Sequence, residues 1–193
     1  MLERTESNFI RTFTGRKFWP LNPRPEDIHI QDIAHALSLK NRYAGHTRKF
    51  YSVAQHSHHI ALQLLNGSWS MENMALVLWG LLHDASEAYL GDIVSPIKPH
   101  VSICGEPYKT VEERLLKMII EKYNLEWPEP PEVKAVDILI RNNEKRDQMN
   151  GSDIGDKSVI DALEITSWSP ESAENYFINL FNDLRPIHNQ ATR

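Results

Sequence analysis

The sequence predicts a mostly α-helical domain of about six or seven helices with a small β arm near the N-terminus. Apolar residues recur at three- and four-residue spacing through most of the chain, the pattern of helices that bury one face. Strict alternation of apolar and polar residues is confined to one short stretch near the start. Stretches rich in proline and glycine separate the periodic segments. With 193 residues, 41% of them hydrophobic, the chain is long enough to bury one sizeable core, and residues 1–193 are expected to form a single domain.

The elements follow in order. FIRTFTGRKFW, residues 9–19, alternates around Thr14-Gly15 and reads as a short hairpin or ordered arm. Pro20, Pro23 and Pro25 mark a connector before a helix carrying Ile33, Ala34, Leu37 and Leu39 to about Asn41, with Gly45 as a break. Ser52 can cap a helix with Val53, His56, Ile60 and Leu64 on neighbouring turns, ended by the Asn-Gly-Ser at 66–68. Ser70 can cap a third, running through Met74, Leu78, Leu81 and Leu82 to about Tyr89, where Gly91 stops it. After Pro96 and Pro99, YKTVEERLLKMIIEKYNL places Val111, Leu115, Met118 and Ile119 on one face. A rigid WPEPPE turn precedes a helix containing Asp137, and a polar loop follows at 150–158. Ser169-Pro170 is a cap followed by proline at the first helical position, opening a C-terminal helix over about 170–185.

The formal net charge of −5 and pI near 6.0 argue against a broad basic face for nucleic acid, whereas a small phosphate ligand needs only one or two local cations. Cys104 is the sole cysteine, so internal disulfides and cysteine-rich zinc modules are excluded, and a metal site must use His, Asp and Glu. The N-terminus does not read as a secretory signal, and the most apolar stretch, of about ten residues, falls short of the roughly 20 needed to span a bilayer. A cytoplasmic protein without a membrane partner is the expectation. Trp168, Tyr176 and Phe177 either contact another copy, giving a homo-oligomer of two or more chains, or pack on the core.

The chemistry concentrates in GLLHDASEAYLGDIVSPIK, residues 80–98. On a helix, His83 and Asp84 diverge by about 100°, so they address one point only if it lies between their directions. Glu87, four residues after His83, would sit beside it and reach the attacking water without being a ligand. The pair directly follows an apolar run, and burying a charged Asp without a partner is costly. His56 lies on the apolar side of its helix, where a packed core histidine is the simpler reading; His58 and His59 are expected at the surface. Asp137 falls inside the apolar KAVDILI, where an ion pair with Arg141 would also account for it. Together His56, His83, Asp84 and Asp137 form a nitrogen and oxygen set that suits one divalent transition ion such as cobalt, manganese, zinc, nickel or iron, with open positions for water and phosphate. The EKRD stretch at 144–147 reads as a solvated face or internal ion pairs.

In this order the residues resemble the ligand signature of the HD-domain phosphohydrolases. NRYAGH, YSVAQHSHHIA, LLHDASEAYLGDIVSPIK, EERLL and VKAVDILI, spanning about residues 28–150, are most similar to the bacterial 5'-deoxynucleotidases and related phage and prophage HD proteins. The resemblance implies an all-α HD fold, a divalent ion on those four residues and a deoxynucleotide substrate. It implies that Arg42 binds phosphate and that Tyr43, where the nucleotidases carry tryptophan, packs on the sugar. It further implies Glu87 as the catalytic acid or base and Asp92 near the water or substrate. From the residues alone, Arg42 could be a surface arginine at a helix end, Tyr43 a core aromatic and Asp92 a turn residue. His46 and Lys49 are candidate phosphate contacts that are also ordinary loop residues.

The reaction expected is hydrolysis of deoxynucleoside 5'-monophosphates; no cysteine or Ser-His-Asp arrangement offers a covalent route. Removal of triphosphate from deoxynucleoside triphosphates is the alternative within the same chemistry. A nucleotide-binding regulatory module is the alternative outside it.

Overall fold

The structure, a computed structural model, describes residues 2–65, 71–151, 160 and 162–191, with the backbone alone for 71–72 and 186–191. It is all-α with an N-terminal hairpin. β1 (Ile10–Arg11) pairs antiparallel with β2 (Lys17–Phe18), Ile10 opposite Phe18. The helices are α1 (Ile30–Ser38), α2 (Val53–Leu65), α3 (Met71–Leu82), the single turn α4 (Glu87–Leu90), α5 (Tyr108–Lys122), α6 (Pro131–Gln148) and α7 (Pro170–Ala191). A second two-residue ladder, β3 (Ser102–Ile103) with β4 (Glu106–Pro107), leads into α5 and was not expected from the sequence. No helix among the described residues is long and apolar enough to cross a membrane.

α2 is the central helix. It starts where Ser52 Oγ accepts the Gln55 N–H at 3.1 Å, and it packs against α1, α3, α6 and α7. That surround leaves its first turns no solvent face, so His58 is buried and His59 half-buried, against the expectation that both lie at the surface. α3 approaches α2 closely at Gly80, where a Cβ would collide with Leu64 Cδ1 and lie 3.2 Å from Ile60 Cγ2; this explains a glycine inside a helix. α7 begins with Ser169 Oγ accepting the Ser172 N–H at 3.2 Å and packs Phe177, Phe181 and Leu184 into the core against α1, α2 and α3. The arm is latched rather than loose. Asp32 of α1 accepts from the Thr14 N–H at 2.7 Å and hydroxyl at 3.0 Å, and the fully buried Phe18 stacks on Tyr89 at 3.8 Å.

α1 ends at Ser38, earlier than expected, and Leu39 is exposed. α3 ends at Leu82 and does not continue to Tyr89. Ser70, the Asn-Gly-Ser at 66–68 and most of the loop at 150–158 lie outside the described residues.

Candidate active site

Three elements bring the candidate ligands together: His56 from the start of α2, His83 and Asp84 from the turn after α3, and Asp137 from α6. One donor atom each from His56, His83 and Asp84 fall within 4.8 Å of one another. Asp84 Oδ2 is 3.1 Å from His83 Nε2 and 3.7 Å from His56 Nε2. Asp137 joins at the edge, its Oδ1 3.5 Å from His56 Nε2, while Lys134 and Arg141 also pair with it at 3.0 and 3.2 Å. The internal ion pair read for Asp137 is present, and the same carboxylate lies beside His56.

Both histidines are oriented from behind. His83 Nδ1 donates to the Gly80 carbonyl at 2.8 Å, and His56 Nδ1 donates to the Glu144 carboxylate at 2.5 Å. A carbonyl and an ionised carboxylate only accept, so in each ring Nδ1 carries a hydrogen and Nε2 is the nitrogen turned to the cluster. Both Nε2 atoms are buried and make no hydrogen bond of acceptable geometry. Two such nitrogens, neutral and beside two carboxylates, would give a divalent cation the ligands it needs. Burial lowers His83, yet the Asp84 carboxylate overrides it and raises the imidazole to about 9. Burial alone would raise Asp84, but His83, His56 and Arg42 hold it well below the carboxylate range.

The break after α3 has a local cause. The His83 imidazole occupies the Gly80 carbonyl that would close the next helical turn, and the chain tightens into three-residue turns through Ala85 N to Leu82 O and Glu87 N to Asp84 O. Glu87 consequently heads α4 instead of standing one turn above His83 on a continuous helix. It is 4% exposed, with Oε1 3.4 Å from Lys98 Nζ and Oε2 buried without a hydrogen bond. Burial and the nearby Asp84 and Asp92 carboxylates push its acid well above the usual range, while Lys98 and Arg42 oppose this.

Of the two readings of 144–147, a solvated face or internal ion pairs, Glu144 takes the second: it is fully buried and paired with Arg42, and Arg146 pairs with Asp147. Its Oε1 accepts from His56 Nδ1 and from the Tyr51 hydroxyl at 2.9 Å; its Oε2 accepts from the Tyr43 hydroxyl at 2.7 Å and Arg42 Nε at 3.3 Å. Burial would raise this carboxyl, but Arg42 and His56 keep it far below the ordinary range. The available signal was spacing, since Glu144 lies seven residues after Asp137 and hence on the same face of α6. Arg42 is buried and spans Glu144 and Asp84, 3.6 Å from the latter. Tyr43 and Ala44 adopt φ of 55° and 51°, uncommon for residues with a Cβ; the Arg42 N–H to Tyr51 O bond of 2.9 Å and the Tyr43–Glu144 bond flank this turn.

A cavity of about 690 Å³ opens onto the cluster, lined by Arg42, Tyr43, Asp84, Glu87, Asp92 and Asp137 and by Lys98, Lys109, Lys134, Arg141 and Lys145, among others. Asp92 follows Gly91, whose φ of +90° turns the chain out of α4. His46 and Lys49 are exposed and do not line the cavity. Phe177 is core, while Trp168 and Tyr176 pack with His58 in an aromatic cluster, ring centroids 4.8 to 5.8 Å apart, that leaves Tyr176 49% exposed.

A family model described as 5'-deoxynucleotidase YfbR-like matches residues 35–130, a span that takes in Arg42, His56, His83, Asp84, Glu87 and Asp92 and ends before Asp137. The protein YfdR of Escherichia coli is 35% identical over 191 residues, 95% of this chain and 99% of that one. A protein of Rhodobacter capsulatus is 34% identical over 130 residues, 64% of this chain and 62% of that one. A 5'-deoxynucleotidase of Yersinia pestis is 32% identical over 111 residues, 53% of this chain and 45% of that enzyme, so the match spans less than half of its length. Aligned with YfdR over nearly the whole of both chains and matched by the family model over residues 35–130, the chain belongs to the YfbR-like family of HD-domain proteins.

Proposed function

We propose that the chain is a metal-dependent phosphohydrolase that converts deoxynucleoside 5'-monophosphates to deoxynucleoside and phosphate, acting as one catalytic domain. The observation that carries the reading is adjacency: two buried Nε2 atoms without hydrogen bonds lie beside the Asp84 and Asp137 carboxylates, and those carboxylates line an open cavity together with a buried guanidinium. A divalent ion held by His56, His83, Asp84 and Asp137 would supply Lewis-acid polarisation of the phosphoryl group and ease the deprotonation of water. Arg42 neutralises the phosphate oxygens and the charge that grows on them in the transition state. Glu87, held protonation-competent by burial and adjoining carboxylates, moves the proton between the attacking water and the leaving 5'-oxygen. Asp92 orients water or substrate from the cavity wall. Tyr43, fixed through its hydroxyl, sets a surface against the sugar that crowds a 2'-hydroxyl.

One observation favours triphosphate hydrolysis as the second reading. Lys134, Arg141 and Lys145 of α6 line the same cavity, cations beyond Arg42 that could meet a phosphate chain. Incubating the purified protein with deoxy- and ribonucleotides carrying one to three phosphates, and separating the products, decides between them. Orthophosphate from deoxynucleoside monophosphates is expected, with ribonucleotides slower. Intact triphosphate from deoxynucleoside triphosphates, with monophosphates untouched, would transfer the assignment to the second reading. Binding of nucleotides without turnover of any would leave a regulatory module.

A further inference from the structure

Glu144 touches neither the cavity nor the point where the candidate ligands converge, yet it reaches both halves of the site at once. Its Oε1 takes the His56 and Tyr51 donors, and its Oε2 takes the Tyr43 and Arg42 donors. One carboxylate therefore fixes the ring of a metal ligand with one oxygen and the phosphate fork with the other. Resting on the metal reading above, we infer that Glu144 is the positioning residue of this site, setting the His56 tautomer that exposes Nε2 to an ion while holding Arg42 and Tyr43 in register with it.

An amide cannot replace it. In Glu144→Gln one end of the side chain accepts and the other only donates. With the amide oxygen toward Arg42, the NH2 faces His56 Nδ1 and drives the ring hydrogen to Nε2, where it blocks the ion. With the oxygen toward His56, the NH2 confronts the guanidinium, a donor against a donor. The first orientation is favoured because it keeps an acceptor on the charged Arg42.

The experiment is cobalt titration of the metal-stripped full chain, wild type against Glu144→Gln. Cobalt affinity is expected to fall about 10- to 100-fold, the scale for removing a group that orients a metal-bound histidine. A folded Glu144→Gln protein that binds cobalt within threefold of wild type overturns the inference while leaving the metal reading intact. Absence of cobalt binding by the wild type overturns the metal reading and this inference with it. Nitrogen-15 NMR of the zinc-loaded wild type needs no variant to fold. A His56 hydrogen on Nδ1 with zinc on Nε2 is expected, and the reverse assignment overturns the inference.

Discussion

The two sides of the His56 ring face opposite environments. On the Nδ1 side, Glu144 is fully buried and both of its oxygens are occupied by donors of the chain itself. On the Nε2 side, His56 Nε2 and His83 Nε2 are buried without hydrogen bonds, beside Asp84 and Asp137. Burying polar atoms unpaired costs free energy, and here that cost falls on one face of the ring only, the face where a cation would relieve it. The satisfied side also explains why the other can stay poised: the rings cannot turn away to find water.

Breaking the unsatisfied side gives the largest effect. His83→Ala and Asp84→Ala are expected to lose the ion and to lower turnover by roughly 10³-fold or more, because Lewis-acid stabilisation is worth several kcal/mol. Elemental analysis alongside kinetics checks this, and full activity in a demonstrably metal-free variant would sink the metal reading. Glu87→Ala should keep the ion and lose about 10²-fold in kcat, the scale of a general acid or base. If it empties the site, Glu87 is a ligand. Arg42→Lys keeps the charge but not the fork between Glu144 and Asp84, and KM for a deoxynucleoside monophosphate should rise about tenfold; an unchanged KM removes phosphate binding from Arg42.

The pH profile sharpens the comparison further. Glu87 lies above its ordinary range through burial and the charges of Asp84 and Asp92, and Lys98 pulls it back. Removing that cation in Lys98→Met raises Glu87 further, so deprotonation needs a higher pH and the acid limb of kcat/KM should move upward. A limb that stays fixed shows that another group sets it. The smallest effect is expected from His46→Ala and Lys49→Ala, which are exposed outside the cavity and should change kcat/KM less than twofold. A tenfold loss in either would return it to the substrate.

Much of the fold was legible because its signals are local. The helical period, the Ser52 and Ser169 caps and the alternation around Thr14-Gly15 each act within a few residues, and each sits where the sequence put it. The convergence of His56, His83, Asp84 and Asp137 was legible for another reason: a metal-competent side chain inside an apolar run is costly to bury until something pairs it, and one shared cation would pair all four. What the sequence could not carry was the environment supplied by distant segments. His58 was read as a surface residue because its burial comes from α7 and the chain just before it, more than a hundred residues on. The continuous helix through Tyr89 failed because a side chain, His83, captured a backbone carbonyl that helical period assigns to the ladder.

The sequence by itself determined the helical class, the arm and the chemical identity of the candidate ligands, since composition, period and residue type are properties of short stretches. Only the tertiary structure decided which charges are paired, and Glu144 is the decisive case. Written in a run of charged residues it reads as solvated or ion-paired with no partner named, and its partners are Arg42, Tyr43, Tyr51 and His56, roughly ninety to a hundred residues earlier in the chain. A carboxylate's pairing is set by where the chain returns in space, which no local pattern encodes.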